Sequence, residues 1–312
     1  MEQIVAYGEL TLGIVTPSYN QGAFIERTIH SVLSQGIKNL DYWVIDGAST
    51  DNTLALLSQY QEKGVKFISE ADKGQGQAVN KGITRLNTDI IGWINADDIY
   101  LPNALKKVVD YFSTHPYCDI LFSNSYYIDE KNRVLNTYRT GKWTSEALKK
   151  RCTISQPTVF FRKSLWQRVG PLNEALRYCL DYEYWIRTAK NGIKPVFLKD
   201  FLAATRLHIE TKTATGGVSS RLEAMDMLSK QYGSLHPLWY FAYARSCLLD
   251  KSKIVRAMPL LYLAMQEVTK KEGKIKGLTR LFSLGLLSLI GELFSRTLHA
   301  IRDNYRQYNR VL

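Results

Sequence analysis

Ile90-Ile91-Gly92-Trp93-Ile94-Asn95-Ala96-Asp97-Asp98 decides the fold. Its first five residues are apolar whichever way the strand alternates, as expected of a strand covered on both sides at the centre of an α/β sheet. The run then stops on clustered carboxylates. Moving outward, the same grammar repeats. Residues 10–16 form an apolar strand that breaks at Pro17-Ser18-Tyr19-Asn20-Gln21-Gly22. An amphipathic helix follows, with Phe24, Ile25, Ile29, Val32 and Leu33 inward. Residues 42–45 form a strand ending at Asp46-Gly47. Ser49-Thr50-Asp51 offers capping side chains to a helix carrying Leu54, Leu57 and Tyr60. Residues 65–68 are a third strand, and 75–86 the helix before the opening stretch. Strands alternating with helices predict a Rossmann-like α/β domain with a mostly parallel central sheet and helices on both faces.

Beyond residue 100 the pattern is less regular. Short strands are predicted at 120–122, 126–128, 158–161, 196–198 and 203–207, with helices at 163–169 and 182–190. Residues 211–220, polar and containing glycine, read as a mobile loop. From about Arg221 the chain is helical by pattern. The division expected is a catalytic domain over 8–220 and a helical, basic C-terminal extension over 221–312.

The chain of 312 residues carries a net charge of +12, which on its own points to nucleic acid or an anionic membrane. Residues 251–312 hold 12 Lys or Arg against 4 Asp or Glu, so most of that charge sits in the tail and the main domain is not a basic surface. Nucleic acid is therefore not an expected partner. Cys118, Cys152, Cys179 and Cys247 are widely spaced, with no Cys-x-x-Cys pair, which suits a reducing compartment and indicates neither a zinc site nor a disulfide framework. The first residues lack a basic flank followed by an apolar core, so a cytoplasmic chain is expected. The longest apolar run, 281–294, is too short to span a bilayer and contains Glu292. With Arg280, Arg296 and Arg302 around it, the segment 277–302 suits a helix lying on an anionic membrane, at the inner face of the cell membrane, or equally a helix packed on the protein.

In open α/β sheets ligands bind beyond the carboxyl ends of the strands, and here four successive strands end in polar residues. Neither Gly-x-Gly-x-x-Gly after the first strand nor a Gly-Lys-Ser/Thr phosphate loop is present; Gly74-Gln75-Gly76 reads as a turn.

Thr16-Pro17-Ser18-Tyr19-Asn20, Ile45-Asp46-Gly47-Ala48-Ser49-Thr50-Asp51, Glu70-Ala71-Asp72-Lys73-Gly74, Asn80-Lys81-Gly82-Ile83 and Asn95-Ala96-Asp97-Asp98 resemble family 2 of the glycosyltransferases in order and spacing. The likeness continues through Gln156-Pro157, Gly170-Pro171-Leu172 and Asp181-Tyr182-Glu183-Tyr184-Trp185-Ile186-Arg187, covering residues 10–215. It implies the GT-A fold and inverting transfer from a nucleotide diphosphate sugar, with UDP expected. The acceptor would be a growing surface polysaccharide or a lipid-linked glycan. It implies that Pro17, Ser18, Tyr19, Asn20, Asp46, Asp72, Lys73, Asn80, Asn95 and Ala96 hold the nucleotide sugar, Pro17, Tyr19 and Asp46 serving the base. It further implies a divalent cation, Mn2+ or Mg2+, on Asp97 and His208, and Asp181 as the base that deprotonates the acceptor, with Glu183 the second candidate.

Each residue also has a plainer reading: Asp46 as a turn residue, Asp98 as the cap of a helix near Pro102, Asp181 as an N-cap, His208 as a structural histidine, Trp185 as core. Lys212 is a candidate phosphate contact. Asn95, where the family commonly has Asp, can bond ribose or a metal-bound water. A sugar nucleotidyltransferase, and a basic protein that binds membrane or nucleic acid, are the alternative functions.

Overall fold

The computed structural model describes residues 10–249, apart from Arg139 and Glu210. The segment 277–302 lies outside the described residues. The first half alternates strictly: β1 (Leu12–Ser18), α1 (Ile25–Leu33), β2 (Leu40–Asp46), α2 (Thr53–Tyr60), β3 (Val65–Ser69), α3 (Gln75–Arg85) and β4 (Ile90–Trp93). The second half adds β5 (Ile99–Tyr100), α4 (Ala104–Thr114), β6 (Ile120–Ile128), β7 (Val134–Tyr138) and α5 (Ser145–Lys150). It closes with β8 (Phe160–Arg162), α6 (Lys163–Val169), α7 (Leu180–Lys190), β9 (Val196–Arg206) and α8 (Lys212–Thr215). Residues 10–215 make one unit; α9 (Gly217–Tyr232) and α10 (Pro237–Leu249) pack on each other in a second. No helix among the described residues is long and apolar enough to cross a membrane.

The nine described strands form one sheet in the order β3-β2-β1-β4-β8-β6-β9-β5, with β7 on β6. β3, β2, β1 and β4 run parallel, so their carboxyl ends emerge along one edge. Antiparallel β8 then turns the sheet into a mixed half in which β6 and β9 are again parallel. As its two-sided apolarity predicts, β4 is central and every residue in it is buried.

Two predicted pairs of short strands are each one long strand. Ser123 and Ser125 interrupt the apolar pattern of β6, yet the Ser123 N–H donates to Thr158 Oγ1 (3.1 Å) and Ser125 Oγ bonds Ser155 Oγ (2.7 Å). Lys199 and Asp200 interrupt β9, where Asp200 pairs with Lys107 and its carbonyl accepts from Ser123 Oγ at 2.8 Å. The expected loop at 211–220 is instead helical over α8 and the start of α9. None of the three predicted residues holds the N-cap of α2, which is Asn52 with no side-chain cap; Asp51 Oδ1 accepts from the Thr53 N–H at 3.0 Å from one residue further out, whereas Ser49 turns back to Asp46.

α3 lies unusually close to β1. A Cβ on Gly82 would stand 2.4 Å from Val15 Cγ1 and 3.1 Å from Ile45 Cγ1, both buried and branched. Alanine favours helix over glycine, but here it forces the helix off the sheet. Gly82→Ala is therefore expected to destabilise the protein by about 1–3 kcal/mol, read from urea midpoints; an unchanged or raised midpoint would contradict this packing.

Candidate active site

The carboxyl edge of the parallel strands opens into a groove of about 940 Å³. Side chains stitch the loops at its first end. The Asn20 N–H donates to Ser49 Oγ (2.7 Å), and Asn20 Oδ1 accepts from the Thr50 N–H (2.8 Å), which holds Asn20 in the left-handed region at φ 51°. Tyr19 is thereby thrown up with 61% of its surface exposed, and Pro17 and Ser18 line the wall beneath it. Ser18 Oγ is buried without a partner among the described residues.

Asp46, expected at the nucleotide base, sits below this wall. It is fully buried and its oxygens accept from the Ser49 N–H (2.9 Å), Ser49 Oγ (2.5 Å) and Ser69 Oγ (2.7 Å), so it braces the loop after β2. The carboxylate that faces the groove at this end is Asp72, which accepts from the Gly74 N–H (2.8 Å) and lies over Gly47; a Cβ there would stand 3.0 Å from Asp72 Oδ2. Lys73 is exposed on the groove's lip. Gly74-Gln75-Gly76 is more than a turn, since Gly74 at φ 125° starts α3. Asn80 is not in the lining. It is buried, donating through Nδ2 to the Leu172 carbonyl (3.0 Å) and Glu174 Oε1 (2.8 Å) and accepting from the Leu172 N–H (2.9 Å), and so clamps the loop that forms the far wall.

The loop leaving β4 occupies the middle of the groove. Asn95 Oδ1 accepts from Gln75 Nε2 (2.6 Å) and its Nδ2 donates to Asp98 Oδ2 (3.2 Å). Ala96 is buried, its carbonyl accepting from Thr28 Oγ1 (2.8 Å). Asp98 is not the cap of α4, whose N-cap is Asn103 with no side-chain cap bond. It points inward, accepting the Arg206 N–H at 2.9 Å, and burial, then the neighbouring Asp97 charge, push its carboxyl well above the usual range. Asp97 faces the groove, with Oδ2 3.1 Å from His208 Nε2. His208 in turn leans on the Phe24 ring, 4.6 Å between centroids, so Phe24 supports the site rather than the core.

Asp97 Oδ2 and His208 Nε2 bond each other across 3.1 Å; the carboxylate oxygen is the ligand type that suits Mn2+ or Mg2+, with the imidazole as a nitrogen donor beside it. No group of three or more such ligands exists among the described residues. The donor set therefore fits an open site that a diphosphate and water would complete.

Asp181 is the second residue of α7, and Cys179 holds the N-cap position, so the N-cap reading does not apply. It is half-buried and within electrostatic reach of Lys212, which lines the groove, though it is not itself part of the lining. Burial pushes its carboxyl up to about 6, partly offset by the hydrogen bond from the Tyr182 N–H and by the Lys212 charge. Lys212 reaches across the groove's lip, Nζ donating to Gln75 Oε1 (2.6 Å) and the Arg177 carbonyl (3.1 Å). Glu183 is buried and engaged at both oxygens by Arg187 Nε (2.8 and 3.0 Å). Arg187 also donates to the Val169 and Pro171 carbonyls, so this pair anchors α7. Trp185 is fully buried, stacked on Trp93 at 5.5 Å, and is core.

Sequence reasoning missed Arg206, which underlies the acidic loop. The signal was present: alternation along β9 sets Arg206 on the face of Leu202 and Ala204, a core register for a charged residue.

A model of glycosyl transferase family 2 matches residues 13–169, half of the chain. An uncharacterized glycosyltransferase of Methanocaldococcus jannaschii is 26% identical over 206 residues, 63% of this chain and 70% of that protein. One from Rickettsia typhi is 26% identical over 217 residues, 65% of this chain and 66% of that protein. Chondroitin synthase of Escherichia coli is 28% identical over 184 residues, 58% of this chain but 27% of that protein. Among solved structures, residues 1–349 of S. aureus TarS with UDP-GlcNAc superpose at a TM-score of 0.60 and 15% identity, over 86% of this chain and 77% of that one. Mannosyltransferase PcManGT from Pyrobaculum calidifontis, with GDP-Man and Mn2+, gives 0.55 and 14%, over 93% and 84%. At that identity these are likenesses of fold.

The raised Asp181 carboxyl has a stability consequence. The folded protein disfavours the ionised form, so stability is lost as pH rises from about 4, where the unfolded carboxyl ionises, to about 6, and the loss is complete above that. Asp181→Asn cannot ionise. The variant is expected to match the parent near pH 4 and to exceed it at pH 8 by about 1–3 kcal/mol, measured by urea unfolding at both values; an equal margin at both would show that the carboxyl is not strained by burial.

Proposed function

This chain belongs to glycosyl transferase family 2, and from that premise we propose that it moves a sugar from a nucleoside diphosphate sugar, with UDP as carrier, to a hydroxyl of a surface polysaccharide or lipid-linked glycan, inverting the anomeric centre. The observation that carries this reading is the Asp97–His208 pair in mid-groove, with Lys212 on the lip and a carboxyl raised to about 6 behind it. Tyr19 offers its exposed ring to the base, while Ser18 Oγ and Asp72 supply an acceptor or donor to the base or ribose. The diphosphate then runs toward Asp97 and His208.

Asp97 and His208 would hold the divalent cation, which when bound neutralises charge growing on the leaving diphosphate. The protein's residues do the rest. Asp181, ionised, takes the proton of the acceptor hydroxyl as that oxygen bonds the anomeric carbon. The bond from the anomeric carbon to the β-phosphate oxygen breaks on the opposite face, and its electron pair leaves with the nucleoside diphosphate. Lys212 is drawn to those phosphates from its present partners across the groove. A carboxyl near 6 suits the base, being ionised at neutral pH yet more basic than an exposed aspartate.

Asp181→Asn is expected to retain nucleotide-sugar binding while transfer falls at least about 100-fold, and Asp97→Ala to lose the metal-dependent part of donor binding. In the parent, kcat/KM should drop about tenfold per pH unit below about 6 and level off above it. Calorimetry with UDP-, GDP- and dTDP-sugars, with and without Mn2+, identifies the donor; an active Asp181→Asn enzyme removes Asp181 from the mechanism.

The composition of 277–302 supports peripheral attachment to an anionic membrane, where a lipid-linked acceptor would be found. Flotation with anionic liposomes should recover the full chain and not one ending near residue 250; equal recovery argues for a packing role instead.

A further inference from the structure

Arg206 is the only Lys or Arg among the described residues to be buried outright, with 1% of its surface exposed at the end of β9. Its bonds are unusual for a buried cation. Nε donates to the Asp97 carbonyl (2.8 Å) and Nη1 to the Asp129 carbonyl (2.7 Å), while its own N–H reaches Asp98 Oδ1 (2.9 Å). Nη2 has no partner among the described residues. The guanidinium carbon lies 5.3 Å from the centroid of the Phe24 ring, the ring on which His208 leans.

Charge neutralisation alone does not account for this pattern. A cation seated only to balance Asp97 and Asp98 would bond their carboxylates; here both side-chain bonds go to main-chain carbonyls. A planar fork fixes the direction of what it holds, which a point charge such as lysine does not. Burying it with one donor unmet is costly, and apolar residues of similar volume often replace buried ions without loss of stability.

We infer that Arg206 is a positioning residue for sugar transfer: it fixes the main chain at Asp97 so that the carboxylate and His208 address the donor's diphosphate together, and it ties that geometry to the turn after β6. Asp97 is held at its carbonyl by Arg206 and at its carboxylate by His208, and both partners rest on Phe24. Thr28 Oγ1 steadies the same loop from α1 through the Ala96 and Asp98 carbonyls (2.8 and 2.7 Å). Arg27 donates to the Glu130 carbonyl, so the turn at 129–130 is tied to α1 as well. The inference rests on the donor-site reading above.

The test uses the full chain, Arg206→Met and Arg206→Lys, with circular dichroism and thermal midpoints as controls. Calorimetry measures UDP binding, and GDP binding in parallel, in EDTA and in Mn2+. Both variants should bind the nucleotide in EDTA like the parent, because the side chain of Arg206 bonds the Asp97 and Asp129 carbonyls and no residue assigned to the base. The gain in affinity that Mn2+ brings should fall about 10–100-fold, kcat should fall to a similar degree, and lysine should not rescue either. If Arg206→Met fails to fold, Arg206→Lys decides alone. A variant with the parent's Mn2+-dependent gain, or full rescue by lysine, overturns the positioning role. A uniform loss in EDTA and Mn2+ alike assigns Arg206 to general stability and also overturns it. A parent chain that binds neither nucleotide in Mn2+ overturns the donor-site reading itself, and the inference with it.

Discussion

The chain leaves β4 at the centre of a sheet covered on both faces, and within five residues it has set one carboxylate, Asp97, on the groove and buried the next, Asp98, away from water. Everything around that exit answers this constraint. Buried carbonyls need donors and buried carboxylates need more than one. Thr28 on α1 serves the carbonyls of Ala96 and Asp98, and Arg206 on β9 serves the carbonyl of Asp97. The position of α1 against β5 and of β9 beside β6 is therefore tied to the needs of residues 95–98. An exit satisfied by solvent would leave those elements free to sit elsewhere.

Apolar packing carries the same register to the other half of the site. Trp93, the last residue of β4, stacks on Trp185 of α7, and Trp143 meets Trp185 edge-on at 4.9 Å while its Nε1 donates to the Trp185 carbonyl. Aromatic pairs of this kind contribute about 0.5–1.5 kcal/mol each beyond burial. Their larger effect here is geometric: one turn of helix separates Trp185 from Asp181, so the candidate base is set relative to the acidic loop by a stack of rings. Asn80 and Arg187 hold the 169–174 loop from α3 and α7, closing the circuit on the groove's far side.

The strand ends were legible because β4 is apolar on both faces and because each parallel strand ends on, or runs within two residues into, a polar residue, patterns that a period of two makes visible. Long strands with polar interruptions were not. Ser123, Ser125 and Asp200 look like loop residues until their partners are known, and those partners are 30 to 93 residues away in sequence. The same distance hid the division of labour among the acidic residues. Asp46 ends a strand and Asp72 follows one, yet only the structure shows Asp46 spent on Ser49 and Ser69 while Asp72 faces the groove. Arg206 was hidden because a lone arginine at a strand end is usually solvated, though its register on β9 is that of the core.

Asp97 and Asp98 make the general point in adjacent residues. Chemically identical, they are separated by which way the chain turns. Asp98 goes inward, is pushed toward its neutral form, and is satisfied by Asn95 and the Arg206 main chain. Asp97 keeps one face to the groove and has His208 as its side-chain partner. Two carboxylates driven apart by environment can hold two roles, one structural and one open to a ligand. The buried Arg206 bonds the main chain of this loop and leaves the outward carboxylate to His208.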